Sequence, residues 1–264
     1  MRNKNLTGFL NQEKMQNVKI VEKAGGIGSR ERPMTLICCI PGSTFSAHFM
    51  KHWTAFLIQC FRNNITVILS NAEDAVVYYV RNKCLGGDVL RGVKQKPFDG
   101  KVPYDYLLWI DSDIIFTFQH FIALLKRNLP IVAGMYQTAD AHFYPVVLNW
   151  DKEFFLKHGY FQFLTDDDIR NQKDPIEVVY SGFGFFLTKY GVFETLEYPW
   201  FEPIKHSLSD TIKEFSSEDV SLCQKLREKG HKIFVDPTVV VGHLKPKIII
   251  PQRFLEANPS SPQK

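Results

Sequence analysis

The sequence predicts an α/β fold, with a mostly parallel central sheet flanked by helices and a smaller half of mixed strands after it. Three observations lead there. Strand-like and helix-like runs alternate from residue 34 onward. The first strands are continuous apolar runs, as in strands covered on both faces of a parallel sheet. The third of them, "YDYLLWID", ends in charge. Asp111 and Asp113 stand one residue apart at its carboxyl end, where open sheets of this kind bind ligands.

The elements follow in order. Residues 1–33 are polar and end in "AGGIGSRERP". No strand precedes those glycines and no Lys-Ser/Thr follows, so a flexible arm is the reading and not a phosphate loop. "MTLICCI" is the first strand, and "FSAHFMKHWTAFLIQCFRN" repeats apolar residues at helical spacing. "ITVILS" and "AEDAVVYYVRNKCL" are the next strand and helix. After a loop rich in Gly, Lys and Pro come the third strand, the helix "QHFIALLKRN" and the strand "IVAGMY". In the second half "PVVLNW" and "EVVYSGFGFFLT" read as strands, joined by a loop rich in Asp and Lys. The helix "SSEDVSLCQKLREKG" has Ser216 or Ser217 as N-cap, acids in its first turn and Gly230 as its stop. "KIFVD", a proline turn and "VVVGHLKP" complete the pattern. With no repeat and no second core, one domain is expected over 34–250, its halves at 34–135 and 136–250, with a tail at 251–264.

Composition narrows the function classes. Hydrophobic residues at 45% and charged residues at 23% describe an ordinary globular chain. A net charge of +4 without a dense Lys/Arg stripe argues against a nucleic-acid partner. The five cysteines are an odd number and form no CxxC pair. Cys38 and Cys39 lie in an apolar run and behave as small hydrophobes, which favours a reducing compartment, the cytoplasm, over a disulfide framework. No run reaches the roughly 18 apolar residues of a membrane span, and the first residues lack a signal peptide's apolar core.

Burying an unpaired carboxylate costs several kcal/mol or more, so Asp111 and Asp113 need a cation, strong donors or water. Two hard oxygen donors at one point suit Mg²⁺ or Mn²⁺, with phosphate oxygens completing the sphere. Capping the next helix, or pairing with Lys or Arg, is the other use. The glycines of "SGFGFF", residues 181–186, mark close approach by a ligand or another backbone, or else a bulge. Glu218 and Asp219 either complement the helix dipole or do chemistry. His243, after a buried strand and a glycine, is either a packed ring or a ligand.

In order, these are an apolar strand ending in DxD, a Gly-rich strand, a helix led by Glu-Asp, and a strand ending in Gly-His. That order resembles the GT-A-type glycosyltransferases, nearest to compact soluble enzymes of bacteria and large DNA viruses, from about Thr35 to Pro246. The resemblance implies a GT-A, Rossmann-like fold and a nucleoside-diphosphate sugar as co-substrate, UDP ahead of GDP. It implies that Ile40, Pro41, Gly42 and Ser43 line the base and ribose pocket, with Arg81 and Asn82 against the nucleotide. Asp111, with Ser112 beside it, touches the ribose or a metal-bound water. Asp113 and His243 ligate Mn²⁺ or Mg²⁺, with Asp111 in the same metal set. Ser181, Gly182, Phe183 and Gly184 border the donor sugar, and Lys245 or Lys247 reaches the diphosphate. Glu218 or Asp219, the latter preferred, is the general base beside an acceptor hydroxyl of a glycan or glycoconjugate, with inversion at the anomeric carbon.

Rival readings are a nucleotide-sugar-binding protein without turnover, a nucleotidyltransferase and a metal nuclease. The second sits lower because "CIPGSTFSAHF" has no basic residue before Lys51, and the third because no strong basic surface is evident. Asp140 and His142 are candidates for contact with the donor sugar. "TDDDIRNQKD" reads as a solvated turn.

Overall fold

The computed structural model describes residues 32–246. All but the end of the expected N-terminal arm, the C-terminal tail and Lys247 lie outside the described residues. The chain opens with β1 (Met34–Pro41), α1 (Ala47–Arg62), β2 (Ile65–Ala72) and α2 (Val77–Cys84). Then come β3 (Tyr106–Ile110), β4 (Ile114–Ile115), α3 (Phe118–Arg127) and β5 (Ile131–Met135). The second half holds β6 (Val146–Val147), α4 (Lys152–His158), α5 (Asp166–Ile169), β7 (Ile176–Val178), β8 (Tyr180–Ser181) and β9 (Phe185–Lys189). It ends with β10 (Ile204–Ser207), β11 (Lys213–Ser216), α6 (Glu218–Glu228), β12 (Ile233–Val240) and β13 (Gly242–His243).

Seven strands form one mixed sheet in the order β2-β1-β3-β9-β5-β12-β7. β1 runs parallel to both β2 and β3, and β12 runs parallel to β5. β9 lies antiparallel between β3 and β5, and β7 runs antiparallel to β12 at the edge. Five strands thus share one direction and two oppose it. Strands from the two halves interleave, since β9 of the second sits between β3 and β5 of the first.

Alternation along the strands divides the core in two. Ile37, Cys39, Leu107 and Trp109 face a layer that includes Val80 of α2 and Leu222 of α6. Leu36, Cys38, Ile40, Leu108 and Ile110 face Phe49 and Phe56 of α1 and Phe121 of α3. All five cysteines are buried and free, as small hydrophobes. The helix ends follow local chemistry. Ser46 caps α1 by accepting from the Phe49 amide, Thr117 caps α3 in a capping box, and Gly230 takes a left-handed φ of +83° after α6.

Several elements differ from expectation. β2 runs on to Ala72 and Val76 is extended, so α2 starts at Val77. The Asp- and Lys-rich loop contains α4, capped by Asp151 and stopped by Gly159. "TDDDIRNQKD" is not only a solvated turn: it builds α5 on a Thr165–Asp168 capping box, and Asp166 accepts from the Tyr144 hydroxyl at 2.7 Å. β12 passes through Pro237 without a separate turn, absorbing it as a register shift between Asp236 and Val240.

The largest difference is "EVVYSGFGFFLT", which is three strands and not one. β7 pairs at the sheet edge while β9 pairs mid-sheet, with β5 and β12 between them. The chain makes that crossing through Gly182 and Gly184, against the ring of Tyr136. A Cβ at Gly182 would lie 2.3 Å from Tyr136 Oη, and one at Gly184 2.6 Å from Tyr136 Cε1. The close approach inferred from these glycines is therefore to a side chain of the protein itself. Gly184→Ala is expected to cost about 1–3 kcal/mol through overpacking, read by urea unfolding. Most of that loss should vanish in a Tyr136→Ala background; an equal loss there would place the clash elsewhere.

Candidate active site

β3 is wholly buried up to Ile110, and its last step leaves the sheet. The Asp111 amide donates to the Gly184 carbonyl at 3.0 Å, and the Ile114 amide closes a turn on the Asp111 carbonyl at 3.0 Å. β4 then pairs antiparallel with β13, setting His243 opposite Ile114. The Leu244 amide donates to the Asp113 carbonyl at 2.8 Å. This short ladder brings the late Gly-His strand to the DxD turn.

His243 Nδ1 lies 2.7 Å from the Gln137 carbonyl oxygen, and its Nε2 lies 3.2 Å from Asp113 Oδ2. A carbonyl only accepts, so Nδ1 carries the proton. In the neutral ring Nε2 is an acceptor facing a carboxylate oxygen, and in the protonated ring it is a donor to it. A proton or a dication between them satisfies both. Lys245 Nζ also reaches Asp113 Oδ2, at 2.6 Å. Partial burial pushes the Asp113 carboxyl up, but His243 and Lys245 outweigh it and bring it down to about 2. Because that lies below the ordinary carboxylate value, these contacts stabilise fully above about pH 4 and are lost as pH falls through 2.

Behind this turn lies Arg81, 4% exposed. Its Nε donates to Glu218 Oε1 at 3.0 Å, and its Nη2 pairs with Asp111 at 3.1 Å. Trp109, Phe183 and Phe201 surround the guanidinium, their ring centres 5.5–5.9 Å from its carbon. Burial opposes the charge, yet Asp111, Glu218 and Asp219 hold it protonated above the usual arginine range. Asp111, itself half-buried, thus takes the ion-pair alternative against a buried arginine.

At the start of α6 the two acids part. Glu218 is buried against Arg81; burial and the neighbouring Asp219 raise its carboxyl, with Arg81 opposing. Asp219 is half-buried and accepts from the Tyr180 hydroxyl at 2.8 Å, from the Val220 amide at 2.8 Å and from the Ser217 hydroxyl.

The other expected residues fall into two sets. Gly42 packs on Ser112, whose Oγ lies 3.2 Å from where a Cβ would sit, so the loop after β1 abuts the DxD turn. Asn71 ties that loop by donating to the carbonyls of Ile40 at 2.6 Å and Gly42 at 2.8 Å. Ser43 is exposed, whereas the Ile40 and Pro41 side chains are buried. Asn82 is also interior. Its amide donates to the Tyr78 and Phe201 carbonyls and accepts from the Trp200 and Phe201 amides. No donor or acceptor of that side chain is left for a nucleotide. Arg81, expected against the nucleotide, pairs with two carboxylates through Nε and Nη2, while its buried Nη1 has no hydrogen-bond partner. Ser181, Gly182, Phe183 and Gly184 are all buried, and the Gly184 carbonyl holds the Asp111 amide at 3.0 Å. Asp140 closes its own loop through Thr138 and the His142 amide.

Sequence reasoning missed Tyr136, Gln137, Tyr180 and the aromatic cage. Tyr136 and Gln137 directly follow β5, which runs in the direction of β3. The rule that flagged Asp111 could have flagged them. Tyr180 and Phe201 carry no such signal.

An octahedral dication sets the spacing of its ligands. Two ligands about 2.1 Å from such an ion, at right angles, stand about 3.0 Å apart; Nε2 and Oδ2 stand 3.2 Å apart. Asp113 and His243 fit. Asp111 faces Arg81, and among the described residues no three His, Cys, Asp or Glu side chains converge on one metal point. The three side chains that the resemblance groups on a metal do not converge: Asp113 and His243 face each other, and Asp111 pairs with Arg81.

No protein-family model matches this chain, and no curated protein sequence matches it. Solved structures similar to it include A197 from STIV, at 17% identity and TM-score 0.44, covering 82% of this chain and 97% of that one. Another is GalNAc-T7 with UDP, GalNAc and Mn²⁺, at 11% identity and TM-score 0.43, covering 82% of this chain and 45% of that one. A third is glucosyl-3-phosphoglycerate synthase from Mycobacterium tuberculosis with Mn²⁺, UDP and glucosyl-3-phosphoglycerate, at 10% identity and TM-score 0.38. It covers 86% of this chain and 76% of that one.

Two outcomes follow from the geometry. Arg81→Met should destabilise by about 3–5 kcal/mol, since two carboxylates lose their buried cation. Adding Glu218→Gln should cost much less than the sum, and strict additivity would rule out the shared pair. Lys245→Ala should raise the Asp113 titration midpoint from about 2, followed by carboxyl-carbon NMR; an unmoved midpoint would deny that contact in solution.

Proposed function

We propose that this chain is a metal-dependent glycosyltransferase of the GT-A type. It moves a sugar from a nucleoside-diphosphate sugar, UDP ahead of GDP, to a hydroxyl of a glycan or glycoconjugate. The observation that carries this reading is the Asp113–His243 pair, whose Oδ2 and Nε2 stand 3.2 Å apart. It stands where an α/β sheet gathers ligands, beyond the carboxyl end of β3. The unit is a single domain over 34–250, and five buried free thiols suit a reducing compartment such as the cytoplasm. Among the described residues no helix is long and apolar enough to cross a membrane.

Asp113 and His243 hold Mn²⁺ or Mg²⁺, which when bound neutralises the charge of a departing diphosphate as a Lewis acid. His243 is kept in one tautomer by Gln137, the usual second-sphere device for a metal-binding imidazole. Gly42, Ser43 and Ser112 form the nucleotide side of the site. Lys245 leaves Asp113 for the diphosphate and adds positive charge there. Arg81 holds Asp111 by an ion pair at 3.1 Å, which fixes the turn that carries Ser112 and Asp113. Asp219, held by Tyr180 and Ser217, takes the proton of the acceptor hydroxyl as that oxygen attacks. Attack opposite the leaving group inverts the anomeric carbon. Glu218, buried on Arg81, is the weaker candidate for base.

One observation favours a second reading, a nucleotide-sugar-binding protein without turnover. Asp219 already accepts three hydrogen bonds, leaving about one of a carboxylate's roughly four lone-pair sites for a substrate. Asp113→Ala should abolish metal-dependent nucleotide binding while circular dichroism stays unchanged; retained binding removes the metal role. Asp219→Asn should spare donor binding and lower transfer by about 10²–10⁴. Donor binding by the wild type with no transfer to any hydroxyl would select the second reading.

A further inference from the structure

The central sheet has two edges, and the chain treats them differently. At one edge β7 is three residues long. Pro175 precedes it, and its Glu177 pairs with Lys232 at 2.8 Å. Short length, proline and charge keep an edge from pairing with another chain. At the other edge β2 runs for eight residues, "ITVILSNA", with no charge, proline or glycine in it. Its register against β1 is unbroken from Met34 opposite Ile65 to Pro41 opposite Ala72, so no bulge turns the strand away. Among the described residues nothing pairs with its outer side.

The surface around this edge is apolar on both faces. Leu69 is 53% exposed and Ile68 36% exposed, and neighbours along a strand point to opposite faces. Ser70 shares the face of Ile68 and donates to the Cys84 carbonyl, which puts that face under α2. Val67 shares the face of Leu69 and packs on the layer that holds α1. On α1 itself Phe61 is 61% exposed. Helical spacing sets it on the flank opposite His52, whose ring meets the Phe116 carbonyl beside α3.

The two ends of the strand carry opposite charge. Arg62 closes α1 just before β2, and Glu73 and Asp74 follow it. Asp74 pairs with Lys83. Arg62 and Glu73 are exposed and, among the described residues, make no ion pair. Two copies joined antiparallel along β2 set the Arg62 end of each against the Glu73 end of the other. A parallel joining would set like charge beside like. Antiparallel joining about a two-fold axis is also closed, so it stops at two copies.

We propose that β2 is the seam of a homodimer, in which two copies pair this strand antiparallel and continue the central sheet from one chain into the next. Phe61, Ile68 and Leu69 of each copy are then covered by the other, and Arg62 meets Glu73 across the seam. The seam uses none of Asp113, His243 and Asp219, so it is independent of the chemistry assigned to them.

Sedimentation equilibrium of the full chain between about 1 and 100 µM tests it. The wild type should reach twice the 30.5 kDa mass of one chain. Leu69→Lys should leave a monomer with an unchanged circular dichroism spectrum. Arg62→Glu and Glu73→Arg should each weaken the dimer about tenfold, and the double variant should regain it. Both of those residues are exposed, so the charge exchange decides the matter even where Leu69→Lys fails to fold. A monomer at every concentration overturns the proposal and leaves the edge to another occupant. A dimer indifferent to the charge reversals, or a double variant that does not regain it, overturns the antiparallel seam.

Discussion

A single buried guanidinium holds the centre of this protein together. Arg81, from α2, meets Asp111 at the end of β3 and Glu218 at the start of α6, three segments distant in sequence. Without a cation these carboxylates, with Asp219 beside them, would repel one another in a region walled by aromatic rings. Desolvating any one of them alone is expensive. The guanidinium's planar fork serves two acids at once, and the rings of Trp109, Phe183 and Phe201 tolerate it because it is weakly hydrated and stacks on aromatic faces.

That clamp explains a division of labour. Each acidic motif has an inner and an outer member. Asp111 and Glu218 turn inward to Arg81 and are structural anchors for their turns. Asp113 and Asp219 are left on the outer side, one facing His243 and Lys245, the other held by Tyr180 and Ser217. Fixing the inner acids fixes the outer ones, because each pair sits on a turn too short to move independently. The Tyr136 ring supports the same arrangement from below, through Gly182 and Gly184, and its hydroxyl accepts from the Gly184 amide.

Much of this was legible in the sequence, for physical reasons that differ by residue. Continuous apolar strands and the helical spacing of α1 and α3 reflect burial, which periodicity reads directly. Asp113, His243 and Asp219 stood out because charge or a polar ring next to a buried strand or a helix start needs a partner. What could not be read was which partner. The resemblance alone placed Arg81 against the nucleotide, and only the fold shows that its two acids come from β3 and α6. Asn82 and Ser181–Gly184 were drawn to the site by motif position, whereas long-range backbone bonds put them in the core. The insertion of β9 between β3 and β5 was hidden because "EVVYSGFGFFLT" reads as one strand, interrupted only by Ser181, Gly182 and Gly184. Its break lies in the contact with Tyr136, far off in sequence.

The measurement that bears most directly on the account is a calorimetric titration of the wild-type protein with UDP, GDP and their sugar conjugates, in Mn²⁺ and then in EDTA. The account predicts that one nucleotide sugar binds in Mn²⁺ and that the chelator removes the heat. Equal binding in EDTA would show that Asp113 and His243 serve no metal. No binding of any nucleotide in either buffer would contradict the glycosyltransferase reading altogether.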